Sequence, residues 1–450
     1  MCLGFYWIYK MVDNIRQRIE KIILEKSPTG YRWHHRMGVI PDDWGIRMLR
    51  DITIQISEKA RDRELESLSI SAGIGFVNQA EKFGKELSGK QYVNYTVIMR
   101  GDFVYNKGNS KTYPQGCIYR LDDRKIGAVP NVFISFRLKE KGFDSEYYKH
   151  LFISGFLNYQ LTRLINAGVR NDGLLNLYAE DFFSCSVPVP PQLEQQKIAE
   201  ILNLYDKNID LKHQLIEQEQ KRKKWLLQNL LDPLNSTRFL KFKGKWKKKT
   251  MGDLFSFSTS YSASRAKLGT TGVCYLHYGD IHSNNSTTVD VDRDYDSIPK
   301  IDMTVSKTEM LQNGDVVFVD ASEDYPGVSK HVVVINPRNV TFIPGLHTIP
   351  AKSKTDELDI DFKKYCFQSP SFRKQASFYA SGMKVYGLSR SNLAKIVVFF
   401  PEKQEQQGIS KILMTQDLII DLSMQELHQL QLQKKSLMQL LLTGIVRVSV

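Results

Sequence analysis

The chain has 450 residues, of which 42% are hydrophobic and 25% are charged, and this composition is typical of a soluble globular protein. Its formal net charge of +13 favours a polyanionic partner, DNA or RNA before a membrane, with a generically basic cytosolic protein as the alternative. The length suits two to three domains. The sequence has no run of 18 apolar residues that would predict a membrane span, and its five widely spaced cysteines predict reduced thiols in a cytoplasmic protein.

Residues 1–35 form the first predicted segment. Between residues 12 and 26, isoleucines recur on one face while arginine and lysine occupy other positions, which predicts a short amphipathic helix. Ser27-Pro28-Thr29-Gly30 follows, and these helix-breaking residues predict its end.

We predict a first head domain of mixed α/β type over residues 36–190, and Pro41-Asp42-Asp43-Trp44 lies near its start. Short runs of β-branched and aromatic residues, separated by Gly, Asn and Asp, predict strands near residues 95–99, 103–105, 117–120 and 132–138. A helical stretch near residues 145–165 and a strand near 184–189 complete this domain.

Residues 191–235 predict a long helix that begins after Pro190-Pro191. Apolar residues then keep the 4-3 spacing typical of a coiled coil, at Ile198, Leu202, Tyr205, Ile209 and Ile216. The alternative is a long amphipathic helix that packs on its own domain.

Residues 236–400 predict a second head, and residues 401–450 predict a second long helix. Strands are predicted near residues 273–278, 315–320, 332–335 and 396–400, and a helical stretch is predicted over 362–380.

The run from Arg238 to Lys249 is basic and contains no acidic residue. It either binds a phosphate backbone or forms a solvated linker.

The two long helices are copies of one element. Aligned at an offset of 211 from Glu194 to Leu231, 19 of the 38 residue pairs are identical. Two matched copies in one chain favour helices that pair with each other, in antiparallel orientation, and matched helices predict two copies of one partner.

The heads share only short motifs. Gly101-Asp102 matches Gly314-Asp315, and the stretch from Gly168 to Leu174 matches the stretch from Gly382 to Leu388. Outside such landmarks the heads do not align. Because the two heads differ, we predict a target with two different parts, most simply asymmetric duplex DNA.

Motifs for catalysis are missing from the sequence. The chain has neither the glycine-rich cofactor loop and Asn/Asp-Pro-Pro-aromatic loop of a DNA methyltransferase nor the phosphate-binding loop of an ATP-driven motor. Asp290, Asp292, Asp294 and Asp296 alternate without the Gly and Glu of a calcium loop. We therefore predict no catalytic residue and no metal site. A stand-alone nuclease or methyltransferase and a coiled-coil scaffold are the alternatives.

Three stretches of the sequence are shared with a known family: Pro41-Asp42-Asp43-Trp44, the predicted strand from Gly101 to Asn106, and the run from Val189 to Leu202. Through them the sequence resembles the specificity subunits of type I restriction–modification enzymes, and the resemblance covers nearly all of residues 38–450. Gly408 departs from the pattern because the first copy has Lys197 at that place, and glycine lowers helix propensity by about 1 kcal/mol relative to alanine.

The resemblance and the duplication together imply an α+β fold. Two mixed α/β target-recognition domains are joined by two long helices that form an antiparallel coiled coil, with a pseudo-twofold internal duplication. The resemblance also implies a non-catalytic DNA specificity subunit that binds a bipartite, asymmetric site in double-stranded DNA. Its helices would dock two modification (methyltransferase) subunits and, through them, restriction (motor–nuclease) subunits. S-adenosylmethionine, ATP and Mg are then expected in the partner subunits and no cofactor in this chain.

Polar and basic side chains on loops beside the strands are the expected DNA contacts. The candidate DNA-binding residues are Lys107, Asn109, Lys111 and Arg170 in the first head and Arg265, Lys267, Lys330, Lys384 and Arg390 in the second. Arg170 and Lys384 stand at matching places in the two heads. The candidate partner-binding residues are Ile198, Leu202, Ile209, Ile409, Leu413 and Ile420.

Overall fold

The structure is a computed structural model that describes residues 29–84, 89–108, 112–165, 174–233, 242, 244–283, 286–305, 310–325 and 327–449. The helix predicted over residues 12–26 lies outside these ranges, as do Asn109, Lys111 and Arg170. Among the described residues, no helix is both long and apolar enough to cross a membrane.

The chain forms two compact units, and each contains one head. The first unit comprises Met1–Lys212 and Glu426–Val450, and the second comprises His213–Gln425. The two long helices, α6 (Gln192–Leu230) and α12 (Lys403–Leu442), are each divided between the units. The compact units therefore differ from the linear segments 1–35, 36–190, 191–235, 236–400 and 401–450 that the sequence predicts.

The first unit is built on a four-stranded antiparallel sheet in the order β4-β11-β8-β9. Its strands are β1 (Tyr31–His34), β2 (Gly38–Pro41), β3 (Gly45–Met48), β4 (Thr53–Gln55), β5 (Leu68–Ser71), β6 (Gly75–Asn78), β7 (Thr96–Met99), β8 (Phe103–Asn106), β9 (Cys117–Arg120), β10 (Ile126–Val129), β11 (Ile134–Leu138) and β12 (Ser186–Val189). Its shorter helices are α1 (Leu49–Ile52), α2 (Gln79–Phe83), α3 (Ser145–Ile153), α4 (Asn158–Leu164) and α5 (Ala179–Phe183).

Residues near both ends of the described chain belong to this first unit. β1 pairs with β2, so the end of the segment 1–35 is part of the head. The Tyr31 hydroxyl donates to the Gly444 carbonyl at 3.1 Å. Arg447 binds the carboxylates of Asp43 and Glu194, and Glu194 also accepts from the Trp44 indole at 2.9 Å. The stretch after α12 thus closes onto the start of the first head.

The second unit has a five-stranded sheet in the order β14-β22-β18-β20-β16. Its strands are β13 (Lys247–Thr250), β14 (Phe255–Phe257), β15 (Val273–Leu276), β16 (Thr288–Asp290), β17 (Lys300–Ile301), β18 (Val316–Val319), β19 (Ala321–Ser322), β20 (His331–Ile335), β21 (Phe342–Pro344), β22 (Thr348–Ser353), β23 (Tyr386–Gly387) and β24 (Val397–Phe400). Its shorter helices are α7 (Met251–Leu254), α8 (Tyr278–Ser283), α9 (Ile360–Cys366), α10 (Pro370–Tyr379) and α11 (Arg390–Lys395).

The two heads share one strand order although most of their sequence does not align. In chain position, β4, β11, β8 and β9 of the first head correspond to β14, β22, β18 and β20 of the second. A two-stranded ladder precedes each long helix, formed by β3 with β12 and by β13 with β24. The predicted internal duplication is thus confirmed for the heads as well as for the helices.

The predicted strands and long helices are confirmed with bounds that differ by a few residues. The two predicted head helices are each interrupted. In the first head, Gly155 at φ +77° separates α3 from α4. In the second, Pro370 begins α10 after α9 has ended at Cys366, because proline has no amide hydrogen to continue the earlier helix.

The shared Gly-Asp motif forms the same tight turn in both heads. Gly101 and Gly314 have φ values of +92° and +84°, a region that glycine enters without steric cost. The following aspartate accepts from the amide three residues earlier, at 2.7 Å between Asp102 and Met99 and at 2.8 Å between Asp315 and Gln312. The motif therefore recurs because it begins β8 and β18.

Within each unit, the ends of the two long helices pair in antiparallel orientation. In the first unit Lys434 binds Asp206, and Lys212 binds Glu426 at 2.6 Å. In the second unit Lys223 binds Asp417 at 2.6 Å. Asp206 and Lys223 correspond to Asp417 and Lys434 at the repeat offset of 211, so the ion pairs repeat with exchanged helices. The predicted antiparallel pairing is confirmed within each unit.

A buried glutamine ties the start of each long helix to its head. The Gln195 amide group donates to the Gly142 and Pro190 carbonyls and accepts from the Asp144 amide at 2.8 Å. Gln406 makes the corresponding contacts with the Glu357 and Pro401 carbonyls and with the Asp359 amide. Asp144 and Asp359 in turn cap α3 and α9. One side chain thus fixes two helix starts relative to each other.

Replacing Gln195 by alanine should destabilise the first unit by roughly 1–3 kcal/mol, because two carbonyls and one amide lose their partner in a buried position. Gln196 is exposed on the same helical turn, so Gln196→Ala is the matched control and should change the free energy of unfolding little. Urea unfolding of both variants measures the difference. Equal losses in the two variants would contradict the role given to Gln195.

Candidate nucleic-acid and partner interfaces

Lys107 is the one first-head candidate within the described residues. It follows β8, is half-buried, and its ammonium donates to the Leu177 carbonyl at 3.4 Å. Its own carbonyl accepts from the Leu175 amide at 2.9 Å, and these bonds hold the loop after β8 against residues 174–177. Lys107 therefore stabilises this corner of the first head as well as carrying charge there.

Two second-head candidates lie on an exposed single turn. Arg265 and Lys267 belong to the short 3₁₀ helix Arg265–Lys267, and both side chains are exposed. Arg265 binds the Asp280 carboxylate at 2.9 Å, which neutralises part of its charge. Of this pair, Lys267 is the better placed for a phosphate contact.

Lys330 has an internal contact in the second head. Its ammonium donates to the His282 carbonyl at 2.8 Å and thereby joins the strand start to the end of α8. Burial, and then the charge of Arg373, lower the pKa of Lys330. These contacts favour a stabilising role for Lys330 over a phosphate contact.

Lys384 is exposed on the segment between α10 and α11, and Arg390 is exposed as the first residue of α11. Ser381 and Gly387 exchange two backbone hydrogen bonds, of 3.0 and 2.8 Å, which close the loop that carries Lys384. Strand β23 at the end of this loop pairs with β19. The structure therefore holds Lys384 on a closed, supported loop.

The basic run before the second head contains part of a strand. Lys247 and Lys249 lie in β13 and bind the two oxygens of Glu357, at 3.2 and 2.5 Å. Residues 247–249 are therefore part of the second head and not of a linker, while Lys245 and Lys248 in the same run are exposed. Residues 238–241 and 243 lie outside the described residues.

The alternating aspartates are part of a turn in the second head. Asp290 accepts from the Asp292 and Arg293 amides, and Asp294 binds the Arg293 side chain at 2.7 Å. Within the described ranges, no three His, Cys, Asp or Glu side chains are grouped so that they could hold a metal ion.

The predicted partner-binding side chains are mostly buried in their own units. Ile198 and Leu202 belong to the core of the first unit, and Ile409 and Leu413 belong to the core of the second, all at most 2% exposed. Ile420 is 8% exposed, and Ile209 is half-buried. The 4-3 pattern therefore marks the side of each helix that packs inward, and a partner cannot contact these buried side chains in this arrangement.

A second set of matched residues faces outward on the same helices. On α6 the set is Asp210, Leu211, Gln214 and Gln218, and its counterparts on α12 are Asp421, Leu422, Gln425 and Gln429. All eight side chains are exposed, and Leu211 and Leu422 are 51% and 49% exposed. Their spacing places each set on one helical face. We call these sets the outward stripes.

Other exposed apolar residues differ between the helices. Met414 and Leu418 on α12 are 39% and 57% exposed, whereas the corresponding residues on α6 are Asn203 and Lys207. The outward stripes are thus shared by the two helices, whereas Met414 and Leu418 belong to a surface that is not shared. Sequence periodicity missed the stripes because it selects buried positions, although exact identity at polar positions was a usable signal.

Apolar residues at loop tips were also missed among the candidates. Met383 is 95% exposed and Val385 is 54% exposed on either side of Lys384. Ile74 is 75% exposed at the tip of the β5–β6 hairpin in the first head. A search for charged residues alone does not select these positions.

Comparison of the sequence with models of known protein families places it in one family. The family described as the type I restriction modification DNA specificity domain matches residues 128–219 and 243–432. The type I restriction enzyme MjaVIII specificity subunit of Methanocaldococcus jannaschii is 22% identical over 434 residues, which cover 91% of this chain and 94% of that protein. A solved structure described as the basis of complex assembly and conformational transition of the type I R-M system aligns with a TM-score of 0.57 and 14% identity. The alignment covers 90% of this chain and 99% of that one.

Lys267 and Lys330 should respond differently to replacement by alanine. Lys267→Ala should lower the slope of log affinity against log salt for nucleic acid by about one, because one phosphate contact is lost. Lys330→Ala should leave that slope unchanged and lower the free energy of unfolding by about 0.5–1.5 kcal/mol, because its contact is internal. Binding titrations at several salt concentrations and urea unfolding measure the two effects. The same salt slope in both variants would contradict this assignment.

Proposed function

The chain belongs to the type I restriction–modification DNA specificity family, and we propose that it reads a bipartite, asymmetric DNA site with one head on each half-site. It is a specificity subunit of a type I system and contains the DNA recognition domains of that family.

The two heads have a common strand order but different inserted segments, and this difference supports the proposal of two different half-sites. Between β4 and β8 the first head inserts the β5–β6 hairpin, α2 and β7. Between β14 and β18 the second head inserts β15, α8, β16 and β17. Heads with one frame and different inserted surfaces present different side chains to the DNA, which supports an asymmetric site with two different half-sequences.

The outward stripes support the proposal that two copies of one partner dock on the long helices. Each stripe offers a half-exposed leucine, Leu211 or Leu422, between an aspartate and two glutamines. An apolar centre with a polar rim is the usual make-up of a protein interface. We infer that the two partners are modification subunits, which recruit restriction subunits to the complex.

Chemistry in this proposal belongs to the partner subunits. S-adenosylmethionine would serve the modification subunits, and ATP and Mg would serve the restriction subunits. This chain would act in the cytoplasm and contribute sequence recognition without a catalytic residue of its own.

Methylation mapping tests the proposed DNA site. The chain is produced with the modification subunits of its source organism, and genomic methylation is compared with that of cells lacking this chain. We expect methylation at two unlike half-sequences separated by a constant number of unread bases. Methylation of the same sites without the chain, or one uninterrupted palindromic site, would overturn the proposal.

Introducing a charge on the outward stripes tests the proposed docking. Leu211→Asp should remove one modification subunit, Leu422→Asp should remove the other, and the double variant should bind neither, because a carboxylate would be buried against the partner. Native mass spectrometry of the copurified complexes gives the stoichiometry.

Leu432→Asp is the matched control for these variants. Leu432 is 45% exposed on α12, and the corresponding residue on α6 is Lys221, so it lies outside the shared surface. This variant should retain both partners. Two partners bound to the Leu211→Asp, Leu422→Asp double variant would refute the docking surface.

A further inference from the structure

The loop between α10 and β23 displays an apolar side chain to solvent. Met383 is 95% exposed, more than any other large hydrophobic residue described, and Val385 nearby is 54% exposed. Between them lies the exposed Lys384. Full exposure of a methionine forgoes the free energy that its burial would contribute, which makes it available to an apolar group of a partner.

This loop is held in one conformation by its backbone. Gly382 has φ +145°, and a Cβ atom there would lie 1.9 Å from the Val385 carbonyl oxygen, so the turn requires glycine. The two hydrogen bonds between Ser381 and Gly387 close the loop. Met383 is therefore presented by a defined turn, although its side chain packs on little.

The base of the loop is supported from the neighbouring strand. Strand β23 pairs with β19, and the Leu388 amide donates to the Asp320 carbonyl at 2.7 Å. The Tyr386 ring stacks on Tyr325, with ring centroids 3.9 Å apart. A supported loop loses little conformational entropy on binding, which favours a recognition surface.

The segment around this loop is strongly basic. Residues 362–401 contain no aspartate or glutamate and seven lysines or arginines. Four of these are exposed: Lys374, Lys384, Arg390 and Lys395. Glu323 and Asp324 lie before Tyr325 on the neighbouring loop, where Asp324 accepts from the Gly327 amide at 2.7 Å. An apolar tip within an acid-free basic segment is complementary to a polyanion that also offers an apolar group.

Duplex DNA has such a group in its major groove. The C5-methyl of thymine is the apolar feature that distinguishes one base from the others there, and apolar side chains read it. We propose that Met383 contacts a thymine methyl in the half-site that the second head reads, while Lys384 and Arg390 bind flanking phosphates. This inference rests on the proposed function and adds to it a named base contact of defined chemistry.

Thymine-to-uracil substitution tests the contact, because uracil keeps the pairing and lacks only the methyl group. The full chain, assembled with the modification subunits of its source organism, is titrated with its mapped DNA site and with copies carrying one uracil at a time. We expect at least one thymine whose replacement weakens binding by about four-fold, the effect of burying one methyl group. In Met383→Ala the same substitution should have no further effect.

Two variants serve as controls. Met383→Leu keeps an apolar tip and should retain sensitivity to the same thymine. Met424→Ala removes a methionine that is 47% exposed on α12 and should leave the whole uracil profile unchanged. All uracil positions whose effect is lost in Met383→Ala should fall within one half-site, because only the second head carries this side chain.

The inference and the proposed function fail in different ways. Absence of site-specific binding by the wild-type complex would overturn both. Site-specific binding with no thymine in either half-site, or with a uracil profile that Met383→Ala does not alter, would overturn only the inference. Loss of modification subunits from the Met383→Ala complex would likewise overturn it, since the loop would then bind protein.

Discussion

Each head depends on one buried glutamine for its attachment to a long helix. Gln195 and Gln406 each bridge the strand end before the long helix and the start of a head helix. A buried amide that satisfies three backbone groups is costly to replace, because each orphaned group would keep its desolvation penalty. This constraint explains why a glutamine recurs at Gln195 and Gln406 in a chain whose heads have otherwise diverged.

The inward and outward faces of the long helices have different roles. The inward face, with Leu202 and Leu413, joins the core of each unit. The repeated ion pairs, Asp206 with Lys434 and Asp417 with Lys223, fix the antiparallel register within each unit. The outward stripes are also identical in the two copies, and the internal packing described above does not require them. Identity without an internal reason is the strongest support for two equivalent partners.

The heads keep a common strand order and differ in the segments inserted into it. The Gly-Asp turns at Gly101 and Gly314 start the same strand of the same sheet. The β5–β6 hairpin and the β15–β17 region have no such correspondence. Packing fixes the common strand order, whereas the inserted segments are free to vary. This arrangement suits a protein that must keep its partners while its target sequence changes.

The sequence by itself determined the duplication, the long helices, nine of the 24 described strands and the family, because periodicity and internal identity can be read without the fold. It chose Leu202 and Lys330 as surface residues, and only the tertiary structure placed Leu202 in a core and bonded Lys330 to the His282 carbonyl. Burial depends on distant chain segments that one-dimensional spacing does not contain. The exposure of Met383 likewise became known only from the tertiary structure. From sequence alone an apolar residue is expected in the core, and only the structure shows that its loop points outward.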